Sequence, residues 1–166
     1  AIIQLPQSAL SMVRPGLMTY GVWPVGTPPA NTTLKAVLQW ETRAVLVKLL
    51  PAGTTVGYGC TFRAINPMRI AVLPVGYADG YPYAVEKRAS VLMQGRRCPV
   101  LGRVSMDQLV VDVTDLPTVE EGEPAVLMGR QGKDAIPVAD LAAWGKTIPY
   151  AILTSLGPRV LRRYKE

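Results

Sequence analysis

Arg69-Ile70-Ala71-Val72-Leu73-Pro74-Val75-Gly76-Tyr77-Ala78-Asp79-Gly80-Tyr81 passes from a short apolar run straight into a glycine-flanked aromatic loop. Arg69 to Val75 is rich in Ile, Val and Leu, which predicts a strand, and Gly76 opens the loop that ends it. The same punctuation recurs on both sides. Upstream, Ala44 to Leu50 is apolar and partly β-branched until Pro51-Ala52-Gly53 breaks it. Downstream, Ala89 to Met93 and Cys98 to Leu101 flank Gln94-Gly95-Arg96-Arg97, which predicts a hairpin turning near Gly95. Leu109 to Val113 and Pro124 to Met128 read as further strands, the second followed by Gly129 and Gly132. Short apolar runs divided by 15 glycines and 15 prolines describe a mainly β chain.

Helix enters late. Val138 to Trp144 carries Ala and Leu at helical spacing, and Gly145 suits its C-terminus. Thr147 is the expected N-cap of a second helix reaching Leu156, with Pro149 tolerated in the first turn and Gly157-Pro158 ending it. Arg159 to Tyr164 alternates apolar and basic residues and predicts a last strand. The first stretch, 1–23, has no clean period. Residues 24–33 are rich in Pro and Gly and read as a linker, which leaves 34–166 as the β-domain.

A chain of 166 residues with 49% hydrophobic composition can bury a substantial core. The net charge is +6, but only Arg96-Arg97 and Arg159 to Lys165 are dense in positive charge, so nucleic acid is not an expected partner. Two cysteines, Cys60 and Cys98, are too few for a disulfide scaffold and are not spaced for zinc. There is no histidine. That removes the commonest general base and every Ser-His-Asp arrangement, so proton chemistry falls to Tyr, Lys, Asp, Glu or Cys. No apolar run reaches the ~18 residues of a membrane helix. With no export signal visible, the expected compartment is the cytoplasm.

Four segments, with a fifth near the end, carry a family resemblance. They are Val13-Arg14-Pro15-Gly16 with Tyr20-Gly21, Val56 to Phe62, Leu73 to Tyr81, Gly102 to Gln108, and Ile148-Pro149-Tyr150. In order and approximate spacing they resemble the pyridoxal-phosphate-dependent alanine racemases over almost the whole chain. The resemblance implies an architecture. Family enzymes place a (β/α)₈ barrel before a C-terminal β-barrel-like domain, and they work as head-to-tail dimers. On that pattern, 1–23 is a remnant of the barrel, and a homodimer or association with the N-terminal barrel is the expected partnership. The implied reaction interconverts L- and D-alanine, the D-isomer serving cell-wall synthesis.

Residue roles follow from the same resemblance. Tyr58 matches the catalytic tyrosine, one of two bases that work on opposite faces of the α-carbon. A free phenol has a pKa of about 10, so it needs neighbouring cations to act as a base at neutral pH. The family draws these from the barrel. Arg14 matches the arginine that bonds the cofactor's pyridine nitrogen. Gly16 and Leu17 match positions whose N–H groups bind its phosphate, and Tyr150 matches a tyrosine that contacts the same phosphate. Met106 matches a residue lining the substrate site with its backbone N–H. Tyr77 and Arg103 match residues of the passage by which substrate enters.

Two departures stand out. Tyr83 occupies a position where the family often has an arginine. And none of Lys35, Lys48, Lys87, Lys133, Lys146 and Lys165 has the context of the family's cofactor lysine, so this polypeptide by itself is expected to be inactive. Two alternatives stay open: a non-catalytic β-barrel binding module for nucleic acid or protein, and a racemase of another small amino acid such as serine.

Overall fold

The computed structural model describes the chain except residues 1, 2, 4, 25–27, 31, 86–87 and 165–166, so part of the expected linker lies outside the described residues. The chain forms two compact units, Ala1–Leu38 and Gln39–Glu166. In the first, Gly16–Tyr20 is a 3-10 helix ended by Gly21 in the left-handed region at φ 75°. Gly21 donates to the Met18 carbonyl and Val22 to that of Leu17. Pro15 to Val22 is thus held by bonds among its own backbone groups in a local turn.

The described residues of the second unit form ten strands and two α-helices. They are β1 (Trp40–Arg43), β2 (Leu46–Leu50), β3 (Thr55–Val56), β4 (Phe62–Arg63), β5 (Met68–Leu73), β6 (Ser90–Met93), β7 (Arg96–Leu101), β8 (Leu109–Asp112), β9 (Pro124–Gln131), β10 (Asp134–Ile136), α1 (Val138–Trp144) and α2 (Pro149–Ser155). Eight strands make one antiparallel sheet in the order β1-β9-β6-β7-β8-β5-β2, with β10 added to β9, while β3 and β4 form a separate two-stranded ribbon. The mainly β reading with two short late helices holds. Closure does not: the sheet begins on β1 and ends on β2, and among the described residues no ladder joins these edges into a barrel. Among the described residues no helix is long and apolar enough to cross a membrane.

The apolar runs mark β6 and β9 because these strands are covered on both faces. Val91, Leu92 and Met93 of β6 and Ala125 to Met128 of β9 are all buried. Such strands read as continuous apolar runs, not as alternation. On one face Leu92, Val126 and Ile136 cluster with Trp144 of α1 packed against them. A second cluster joins Leu50, Val56, Ala64, Ile70 and Leu101, with Phe62, Met68 and Val110 packed against it. This second core seats the β3–β4 ribbon on the large sheet.

Several local expectations give way to the pairing. The β6–β7 turn is the two residues Gln94 and Gly95, at φ 50° and 74°, because Met93 pairs directly with Arg96. Positive φ at both central positions matches the twist of the flanking strands, and it moves Arg96 and Arg97 into β7. β9 continues through Gly129 to Gln131, held by β10. α2 starts after Ile148, not Thr147, and has no side-chain cap. Arg159 to Tyr164 is not a strand; Arg162 turns its guanidinium onto the carbonyls of Leu156, Gly157 and Val160 instead.

The two thiols differ in reach. Cys60 is exposed and Cys98 is buried, and burial pushes the Cys98 thiol up to about 11. A thiol held neutral and shielded is a poor nucleophile. Native protein at mildly alkaline pH is expected to consume one equivalent of an aromatic disulfide reagent, at Cys60. The second equivalent follows only after unfolding, as absorbance titration with and without denaturant would read.

Candidate active-site groove

Tyr58 stands on a 3-10 turn, Tyr58–Cys60, between β3 and β4. Its ring is 72% exposed. What holds the turn in place is its glycines. Gly57 lies at φ 77°, and a Cβ there would come within 2.8 Å of the Arg103 nitrogen. The backbones of the Tyr58 turn and the Gly102-Arg103 segment are thus in direct contact, and only glycine allows both the approach and the positive φ. Arg103 also lays its guanidinium beside Gly59, where a Cβ would sit 3.3 Å from Nη1.

The next two segments are bound backbone to backbone. Tyr77 donates to the Ser105 carbonyl at 3.1 Å and Ala78 to the Met106 carbonyl at 3.0 Å. Ser105 donates to the Gln108 carbonyl at 2.9 Å and closes the loop at whose tip Met106 sits. Among the described residues the Met106 N–H has no internal acceptor. The Gly76–Tyr81 turn is self-supported: Asp79 Oδ2 accepts from the Gly76 N–H at 2.9 Å, and Tyr81 donates back to the Gly76 carbonyl. Tyr81 anchors it in the core, with its ring 5.9 Å from that of Trp40. Burial pushes its phenol upward, and its hydroxyl has no partner among the described residues.

Gly57, Tyr58, Ser105, Met106, Asp107 and Gln108 together line an open groove of about 420 Å³. Tyr58 and Met106, matched separately to a base and to a substrate contact, face one space. Tyr77 stands next to it on the adjoining turn, its ring edge-to-face with Tyr83 at 5.8 Å. Tyr150 lies in the first turn of α2, half exposed, and does not line the groove. Arg14, Gly16 and Leu17 belong to the first unit; Arg14 and Gly16 are exposed and Leu17 is buried.

The sequence profile described as "Alanine racemase, C-terminal domain" matches residues 37–164. The chain belongs to the alanine racemase family. An alanine racemase from Halothermothrix orenii is 46% identical over 165 residues, 99% of this chain and 44% of that relative. Two solved structures have the same fold. The biosynthetic alanine racemase of Pseudomonas aeruginosa superposes with a TM-score of 0.80 at 37% identity, over 93% of this chain and 42% of that one. An alanine racemase from Bartonella henselae with covalently bound pyridoxal phosphate gives 0.81 at 36% identity, over 90% and 40%. The chain therefore spans less than half the length of the alanine racemases it matches.

Motif reading singled out Tyr58, Met106, Tyr77 and Arg103, of which Tyr58 and Met106 line the groove; it did not single out Arg159. Arg159 donates to Asp79 Oδ1 at 3.1 Å and to Asp107 Oδ1 at 2.7 Å. In the sequence it is one cation in a basic tail, and nothing local marks it.

Proposed function

We propose that this chain supplies the β-domain wall of an alanine racemase active site, with Tyr58 as the proton-transferring group. The observation that carries this reading is the shared groove of Tyr58 and Met106. Residues 1–23 are read as the end of an N-terminal barrel, 24–33 as a linker and 34–166 as the β-domain. A barrel from a second subunit completes the site.

The residues present fit pyridoxal phosphate at two points. Gly16, at φ 58°, opens a 3-10 turn whose first N–H groups lack acceptors within the turn, a suitable cradle for a phosphate. Arg14, two residues earlier in the chain, offers a guanidinium for the pyridine nitrogen. When bound, the cofactor supplies an electron sink that makes the α-proton of an attached amino acid removable.

The chain's own residues do the rest. The Met106 N–H, left without an internal acceptor, receives the substrate carboxylate and orients the α-carbon. Tyr58 Oη takes the α-proton on one face or returns one there. The passage beside Tyr77 and Arg103 admits a small amino acid. A cofactor lysine from the barrel works on the other face.

The test is assembly. The 166-residue chain alone, with pyridoxal phosphate, is expected to show no racemisation of alanine by chiral chromatography. Joined to a family N-terminal barrel that carries the lysine, it is expected to racemise. Activity from the pure chain, or none from a folded assembly that binds the cofactor, would overturn the reading.

A further inference from the structure

Arg159 follows α2 and has no place in the chemistry above, yet it touches both the Ser105–Gln108 loop that lines the groove and the Gly76–Gly80 turn bonded to that loop. Its Nη2 meets Asp79 and its Nη1 meets Asp107. Asp79 is only 13% exposed and is already committed: its second oxygen holds the Gly76 N–H. Asp107 is 55% exposed and follows Met106 directly on the groove wall. The remaining ties between the turn and the loop are the two bonds from Tyr77 and Ala78 to the carbonyls of Ser105 and Met106. Those hold Ser105 and Met106 by their carbonyls. Asp107, the next residue, is held through its side chain by Arg159.

We propose that Arg159 is a positioning residue: its planar fork bridges Asp79 and Asp107 and so fixes the Ser105–Gln108 loop, with the Met106 N–H, against the Gly76–Gly80 turn. An arginine suits this because two nitrogens of one rigid plane serve two carboxylates at once, which a lysine's point charge does not reproduce. Exposed ion pairs add little to global stability. The consequence is therefore local order in the groove wall, not survival of the fold. The link to catalysis rests on the reading that Met106 receives the substrate carboxylate.

Amide hydrogen exchange on the 166-residue chain tests the clamp without any cofactor. Arg159→Ala is expected to speed exchange about tenfold at the amides of Ser105, Tyr77 and Ala78, while the amides of β6 and β9 keep their parental rates. Arg159→Lys is expected to recover only part of that protection. Exchange unchanged in Arg159→Ala, or fully restored in Arg159→Lys, overturns the proposal. A second readout uses the assembled racemase, in which Arg159→Ala is expected to raise KM for alanine about tenfold with kcat within about threefold of the parent. Local exchange accelerated with KM unmoved supports the clamp and overturns the carboxylate role of Met106.

Discussion

Tyr58→Phe, in a racemase assembled from this chain and a family barrel, is expected to lower racemisation about 10²–10⁴-fold, the usual contribution of one positioned acid–base group. The substitution removes a single oxygen from a ring that is 72% exposed. Little packing is lost, so the folded chain and its thermal midpoint should stay as they are. Because the two enantiomers of alanine have equal free energy, kcat/KM must fall equally in both directions. The face on which Tyr58 works is read from isotope exchange instead. In deuterated solvent, the enantiomer whose α-proton faces the barrel lysine should still exchange, while the other should not. Loss of exchange from both enantiomers to the same degree would count against one base per face.

Gly76→Ala is expected to destabilise the chain by about 3 kcal/mol, the upper part of the range for overpacking a tight contact. The backbone conformation is not the reason, since φ at Gly76 is −148°, extended and open to any residue. Space is the reason. A Cβ at Gly76 would lie 2.3 Å from the carbonyl oxygens of both Ser105 and Met106. Backbone oxygens cannot swing aside as a flexible side chain can. The turn and the loop must separate, which strains the Tyr77 and Ala78 bonds and displaces Met106 from the groove wall. Gly122→Ala is the control. It sits at φ +88° with nothing within 4 Å of the new Cβ, so it carries only left-handed strain of about 1–2 kcal/mol. Urea titration of both variants separates the two effects. Equal losses would mean that the Gly76 contact is looser than its geometry.

The groove also shows why the motifs were readable and its support was not. Tyr58 and its two glycines form one short local unit, since the turn needs positive φ at Gly57 and Gly59. The turn from Gly76 to Tyr81 is likewise closed by bonds among its own residues. Features whose cause lies within a few residues leave a mark in sequence. Arg159 acts on Asp79 and Asp107, both distant in the chain, and neither its neighbours nor its spacing records that choice.

Among the strands the division is the same. β5, β6, β8 and most of β7 and β9 were legible in the sequence, because the buried part of a strand must be apolar along a short run. So was α1, whose Leu and Ala spacing meets Gly145 at the predicted end. The tertiary structure alone decided β1, where Trp40-Glu41-Thr42-Arg43 is polar and becomes a strand only by pairing with β9. It decided β3 and β4, two residues each, which exist because Val56 and Phe62 pack on the second core. It rejected a strand at Arg159 to Tyr164, where the alternation is real but the arginines find carbonyls and carboxylates instead of a sheet edge. It also left the sheet open between β1 and β2. Apolar periodicity reports how much of a segment is buried. Which partner buries it, and whether two edges meet, depends on hydrogen bonds between residues far apart in the chain.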